Sequence, residues 1–457
     1  MFSKAAVPWR GETFRVCSVS SALLLRALAT MHEYVLRQQL HNEIHARPYE
    51  HLLTPLQISH MAYLADAQAQ AQAHVHLCRL LENHHLPLPS EGSSFHVADI
   101  GQVRLRWERH GEFTSYTFIR PGLATDQQSW FGHCACADIS AAWRETIPGA
   151  LICANHIALL PDHPGDDWPQ HDLSAVLDAD ALVASEVADG QARVYTDLRI
   201  HADGFARFVI VSRAISPRRR GRLAQRLLEI ETYRMLSLLA LPAAREITPL
   251  LSQYEQELAQ IMDAIRSSQP ERDRQTLERL SQLASTVESL YAQHHARFTA
   301  SSVYYDLANR RITDLHEQQF MGLQTLGQFM DRRLAPAMQT CSHVIRRLQG
   351  LSERISRCSN LLRTRVEVQM QQQNRELLAS MNRRQYLQLR LQQTVEGLSV
   401  AAITYYASSL VGHLFEAMHR WLHVDAAAAQ GWSIPVIALA VWLGLRRAHQ
   451  RLAKVDR

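Results

Sequence analysis

His41 and His45 stand four residues apart in the string His-Asn-Glu-Ile-His, a spacing that puts two imidazoles on one face of a helix. Such a pair can hold a divalent cation, since neutral imidazole is a common metal ligand. Glu43 lies between them at the wrong offset for the H-E-x-x-H order of metalloproteases, and no third ligand is evident. His133, Cys134 and Cys136 form a second soft-ligand cluster, but a C-x-C without a second pair is a weak metal signature. His201 and Asp203 fall at a strand end, where a loop site and a polar turn both fit. Arg218, Arg219 and Arg220 can meet an anionic surface or form a solvated helical face. No phosphate loop, dinucleotide fingerprint, G-x-S-x-G elbow or kinase set occurs. The reading therefore assigns no catalytic residue and no cofactor, and leaves a divalent cation as the one bound ion to consider.

These residues are carried by 457 residues, enough for two or three structural units. Hydrophobic residues make up 47% and charged residues 20%, which excludes wholesale disorder and a disulfide-stapled miniprotein. The net charge of +4 gives no argument for nucleic acid. Seven cysteines scattered along a long chain read as reduced thiols on a cytosolic side. A mean hydropathy of −0.19 excludes a polytopic membrane protein but leaves room for one hairpin.

Residues 1–30 differ from the rest and read as a disordered extension, or as sequence upstream of a true start at Met31. Residues 31–90 read as helical, with Pro55 opening a helix that runs toward Leu81. From 93 to 213 the period changes to two. VRLRWER and FTSYTFI flank His110-Gly111, ALICANHIALL forms an apolar strand, and Asp189-Gly190 marks a tight hairpin turn. A further strand follows at FARFVIVSR. An α+β domain over 31–215 is expected.

After Ser216-Pro217 the pattern is helical. One helix should break at Leu241-Pro242, a second cover 244–267, a third cover 270–333, and Pro336 interrupt before a last long helix. Leu362, Val366, Met370, Leu377, Met381, Leu387, Leu391 and Val395 form a stripe on that last helix. A long-helix bundle or coiled-coil stalk over 216–395 would cover it, within or between chains.

Two apolar runs close the chain, at 398–417 and 426–445, each of about 30 Å as helix and therefore long enough for a membrane. They predict a transmembrane hairpin over 396–446 and a basic tail over 447–457. Arg383, Arg384 and Arg390 precede the first run; Arg446, Arg447, Arg451, Lys454 and Arg457 follow the second; only Arg420 lies in the connection. The positive-inside rule then places both termini in the cytoplasm, with an inner membrane as the expected location and the tail arginines and Lys454 near lipid. Gly397, Ala401, Thr404, Ser408 and Gly412 stack small groups along one face of the first run. That stripe suits close helix packing or, in a ring of copies, a pore lining with Glu416 near its outer end.

LHNEIHARP at 40–48, VRLRWERHGEFTSYTF at 103–118, YTDLRIHADGFARF at 195–208, RLLEIETYRMLSLLALP at 226–242 and SVYYDLANRRI at 302–312 recur as a set. With LQLRLQQTVEGLSVAAITYYASSLVGHL at 387–414, they resemble the bacterial family called domain of unknown function 3422. That resemblance runs from Met31 to the C-terminus and implies membrane-anchored proteins, with no biochemical activity attached to the name. The expected architecture is also similar to that of CorA-type magnesium transporters, pentameric channels whose first span lines the pore. Their Gly-Met-Asn signature is absent from VGHLFEAMHRW, so no site residue carries over.

Two functions follow as expectations. One is a CorA-like homo-oligomeric cation channel with a large cytoplasmic domain. The other is a non-conducting, membrane-anchored scaffold or interaction protein. An enzyme around His41, His45 and His201 is the weakest reading. A homo-oligomer and membrane lipid are the expected partners, and nucleic acid is not expected.

Overall fold

The computed structural model describes residues 34–38, 40–41, 47–90, 92–162, 173–213, 215–267, 273–422 and 426–455. The extension expected over 1–30 lies outside them, as does His45.

Among the described residues, nine strands form one mixed sheet. In chain order they are β1 (Leu56–Leu64), β2 (Phe95–Ile100), β3 (Val103–Arg109), β4 (Phe113–Pro121), β5 (Ala150–Pro161), β6 (Val183–Val187), β7 (Ala192–Thr196), β8 (Ala206–Ser212) and β9 (Gln318–Gln319). Their spatial order is β2-β3-β4-β1-β5-β8-β7-β6-β9; β5 and β8 pair parallel, and the other strand pairs described are antiparallel. The hairpins expected around His110-Gly111 and Asp189-Gly190 are present. In the second, Ala188, Asp189 and Gly190 take φ of 56°, 60° and 77°, as a tight turn requires.

The helix expected from Pro55 is instead the central strand β1. Eight of its nine residues are buried, so both faces of the strand are covered and no polar alternation shows in the sequence. The helix α1 (Ala67–Asn83) starts later, where the Asp66 side chain accepts the Ala69 N–H at 2.8 Å. A short helix α2 (Ala141–Glu145) precedes β5.

Period two assigns opposite faces of the sheet to opposite helices. Leu105, Trp107, Tyr116 and Phe118 pack with Leu77 and Leu81 of α1. Ile58, Ile119, Ile157 and Phe208 pack with Leu223, Leu227 and Ile230 of α3 (Pro217–Ser237). Pro217 is at the first helical position, as expected.

Three long helices follow: α4 (Ala240–Arg266), α5 (Asp273–Thr313) and α6 (Leu326–Leu422). The break expected at Pro336 lies earlier. Residues 314–325 leave the helix to place β9 against β6, and Pro336 sits inside α6. The chain forms two compact units, residues 1–256 with 286–352, and residues 257–285 with 353–457. The sheet, α1, α2 and α3 lie in the first. In the second, Arg365 Nε stands 3.2 Å from Asp273 Oδ2 and its Nη1 donates to the Ile265 carbonyl at 3.0 Å.

The chain closes on α6 and on α7 (Ala426–Val455). Among the described residues, no helix is long and apolar enough to cross a membrane. The transmembrane hairpin over 396–446 is thereby corrected, and with it the inner-membrane localisation and the membrane and ion-transport assignments. The CorA-like architecture loses the feature that carried it. Length is not what is lacking, since α6 has 97 residues and α7 has 30. Apolar character is: Ser399, Thr404, Tyr405, Ser408 and Ser409 dilute the first run, His413 and Glu416 close it, and Gln430 and Ser433 dilute the second. Each polar group withdrawn from water offsets part of the gain from neighbouring Leu, Ile and Val.

Candidate functional site

Strand register builds a polar row on the sheet face beneath α3. Arg106 of β3 pairs with Thr117 of β4, Thr117 with His60 of β1, and His60 with Asn155 of β5. Glu108 and Ser115 pair two residues further along the same face. All six side chains belong to buried residues. Buried polar groups are costly without partners, so this row marks a place where the fold gives up apolar packing.

The underside of α3 roofs the row. Gly221, Ala224, Leu228 and Thr232 recur at steps of three and four and therefore share one stripe. The segment 47–52 crosses this helix, and the Leu52 N–H donates to the Pro217 carbonyl at 3.1 Å. Between sheet, helix and crossing segment lies a cavity of about 360 Å3, reached also by Tyr233 and by Arg311 of α5. That volume falls within the range of small-molecule sites.

The polar groups inside are held in place. Thr232 Oγ1 donates to the Leu228 carbonyl at 2.8 Å. It can then only accept from His60 Nε2, which stands 3.3 Å away. Nδ1 is left as the acceptor for the Thr117 hydroxyl at 2.8 Å. The network thus assigns the Nε2–H tautomer. Burial, only partly opposed by the Glu108 charge, lowers the His60 pKa to about 4. Burial lowers that of His110 to about 4 as well, and its ring stacks on Phe113 at 4.1 Å. Both imidazoles are therefore neutral at pH 7.

Arg106 Nη2 donates to Glu108 Oε1 and its Nη1 to the Pro48 carbonyl, both at 2.8 Å. Burial alone would raise the Glu108 carboxyl, but Arg106 and Arg47, joined by His110 once it is protonated at low pH, outweigh it, and the group is held below the usual carboxylate range. Arg311 pairs with Glu229, and burial pushes the Tyr233 hydroxyl up to about 12. No shifted group here titrates near neutrality, where general acid–base catalysis works best. The cavity instead offers fixed donors and acceptors beside the apolar walls of Leu52, Ile58, Phe113 and Ile119.

The residues singled out from sequence lie elsewhere. His41 is exposed on a short helical turn. Among the described residues, no group of three His, Cys, Asp or Glu side chains could hold a metal. His133 meets Asp138 at 2.7 Å, and the Cys134 thiol, pushed up to about 12 by burial, donates to the Phe131 carbonyl. Cys136 is buried, and its backbone N–H donates to Ser59 Oγ at 3.2 Å. His201 meets Asp197 at 2.9 Å, and Asp203 accepts from Arg207 at 3.0 Å. Gly397, Ala401, Thr404 and Ser408 line a shallow groove with Ile434 and Ala438 of α7. There the Thr404 and Ser408 hydroxyls donate to the Val400 and Tyr405 carbonyls of their own helix. Gly412 is buried, and Glu416 is exposed 3.6 Å from His413 Nδ1. The Arg446 guanidinium lies over the Trp442 ring, Arg447 is exposed, and Arg451 and Lys454 fall in the last turns of α7.

Sequence reading missed His60, Arg106, Glu108, Thr232 and Tyr233. The available signal was VRLRWER, whose alternation sets Arg104, Arg106 and Glu108 opposite Leu105 and Trp107. It signals a buried site only once both faces are known to be covered.

Fold and cavity together define an α+β protein with a roofed polar pocket on one face of a mixed sheet. The chain belongs to the family described as "Protein of unknown function (DUF3422)", whose model matches residues 32–452. No curated protein and no solved structure matches it.

Proposed function

We propose that the sheet domain binds a small polar molecule in the cavity beneath α3. The observation that carries this reading is the buried polar set Arg106, Glu108, Ser115, Thr117 and His60, which lines a cavity of about 360 Å3. The charges lining the cavity balance. Arg47, Arg106 and Arg311 stand against Glu50, Glu108 and Glu229, with both histidines neutral. A ligand with no net charge, neutral or zwitterionic, suits that balance, with an apolar portion against Ile58 and Phe113.

The test is mass spectrometry of small molecules released on denaturing the purified protein, run beside Ala224→Phe, which fills the cavity. A neutral polar compound retained by the wild type and absent from the variant is expected. If nothing is released, and no neutral polar metabolite in a panel raises the melting temperature, the reading fails.

A second reading, self-association through α6, is favoured by one observation. Leu377, Leu378, Met381, Tyr386, Leu387, Leu389, Leu391 and Val395 are each 57–69% exposed. Leu377, Met381, Leu391 and Val395 among them share one side of the helix, and an exposed apolar stripe of this kind commonly marks an interaction site. Light scattering would decide it: a stable monomer at high concentration removes this reading.

A further inference from the structure

A second recess, of about 220 Å3, lies against another flank of α3. Arg219, Arg222 and Arg226 line it at steps of three and four, so their side chains rise from one helical face. The β6–β7 turn at Ala188 and Asp189 and the segment from Asp314 to His316 supply the other walls. Ala188 and Asp189 take the positive φ of their hairpin turn, and His316 holds φ of 51° although it is not glycine. Costly backbone conformations of this kind gather where a structure serves a site.

Three guanidinium groups here face two carboxylates, and both carboxylates are loosely held. Asp189 is 3.8 Å from Arg219 and 74% exposed; Asp314, 44% exposed, is 3.8 Å from Arg226 and 3.6 Å from Arg311, which lies outside the recess. Arg219 donates to Gln191 at 3.0 Å and Arg226 to the Asp314 carbonyl at 2.8 Å. Arg222 differs from both. Its Cζ lies 5.1 Å from the Tyr49 ring centre, and its Nε is buried with no hydrogen-bond partner. A guanidinium presents its N–H donors in a rigid fork that matches a tetrahedral oxyanion. We propose that this recess binds the phosphate group of a small phosphorylated molecule, with Arg222 as its central donor and Arg219 and Arg226 flanking it. The inference is independent of the ligand proposed for the larger cavity.

The test is calorimetric titration of the full chain with inorganic phosphate and with pyrophosphate, the ionic strength held constant with chloride. Saturable binding is expected, weakened about tenfold or more in R222Q, as loss of a charge-assisted hydrogen bond implies. R346Q, on α6, should bind as the wild type does. R219Q gives a second reading should R222Q fail to fold. Absence of saturable binding would overturn the proposal. So would equal weakening in R346Q, or wild-type affinity in the folded variants of Arg222 and Arg219.

Discussion

A Cβ placed on Gly221 would stand 1.8 Å from the carbonyl oxygen of Glu50. Backbone meets backbone there, and neither can swing aside as a flexible side chain would. This close approach lets the segment 47–52 close the cavity over α3. In an isolated helix, Gly→Ala would gain about 1 kcal/mol. Here Gly221→Ala should instead destabilise by about 1–3 kcal/mol, the usual cost of overpacking. The segment should also become more open to protease. Urea denaturation and limited proteolysis read both effects; a stabilised, equally resistant variant would show that the crossing is loose.

His60 gives a pH dependence with a defined sign. Its folded pKa is lowered to about 4 from 6.5, so the unfolded chain takes up a proton before the folded one does. The associated stability is fully present above pH 6.5 and is lost as pH falls toward 4, amounting to about 3 kcal/mol at the bottom of that window. His110 and His156, also lowered to about 4 by burial, act in the same direction. Glu108 is lowered below its ordinary value, so its contribution is lost only below about pH 4.5. His60→Gln should flatten the urea midpoint between pH 6.5 and 4. An unchanged slope would mean that His60 is solvated or already charged.

The parts legible in the sequence were those set by local chemistry. Asp189-Gly190 announced its hairpin because few dipeptides accept two positive φ values. Pro217 announced the start of α3. Strand β1 was not legible because both of its faces are buried, which erases the alternation that distinguishes strand from helix. The break before α6 was not legible either. No proline marks residues 314–325; the pairing of Gln318 and Gln319 with β6, far away in sequence, holds them out of the helix. The cavity was hidden for the same reason. Arg106 and Glu108 read as an ordinary solvated strand face until the non-local cover of α3 and residues 47–52 is known. The closing runs misled in the opposite sense, since their length suited a membrane while their polar content did not.

Arg106 and Glu108 form a buried pair whose side chains are 5% and 11% exposed. Removing one partner strands the other in a poorly solvated place, and Glu108→Leu or Arg106→Met should each cost about 3–5 kcal/mol. The double variant Arg106→Met with Glu108→Leu should lie closer to the wild type than either single change, because no unpaired charge remains. A double-mutant cycle on urea unfolding measures this coupling. Additive losses would mean that the two groups do not depend on each other. The double variant should also lose any ligand of the cavity, which separates stability from binding.

Glu317 joins the edge of the sheet to the start of α6. One carboxylate oxygen accepts the Ser185 hydroxyl at 2.6 Å and the Leu326 N–H at 3.1 Å; the other accepts the Gly327 N–H at 2.8 Å. The first N–H groups of a helix have no partner within it, and a negative charge at that end also meets the favourable end of the helix dipole. Gly327 fits this arrangement, since a Cβ there would lie 2.9 Å from the Glu317 carboxylate. Glu317→Ala should therefore cost about 1–2 kcal/mol, as loss of a helix cap does. Glu317→Gln keeps one acceptor oxygen but loses the charge, so it should fall between the two. Raising the salt concentration should narrow the gap between wild type and Gln, because screening weakens the charge–dipole part and leaves the hydrogen bonds. Should Gln match Ala at every salt concentration, the charge would be the whole of the effect. Should Ala match the wild type, the hydrogen bonds of Glu317 would add nothing to the start of α6.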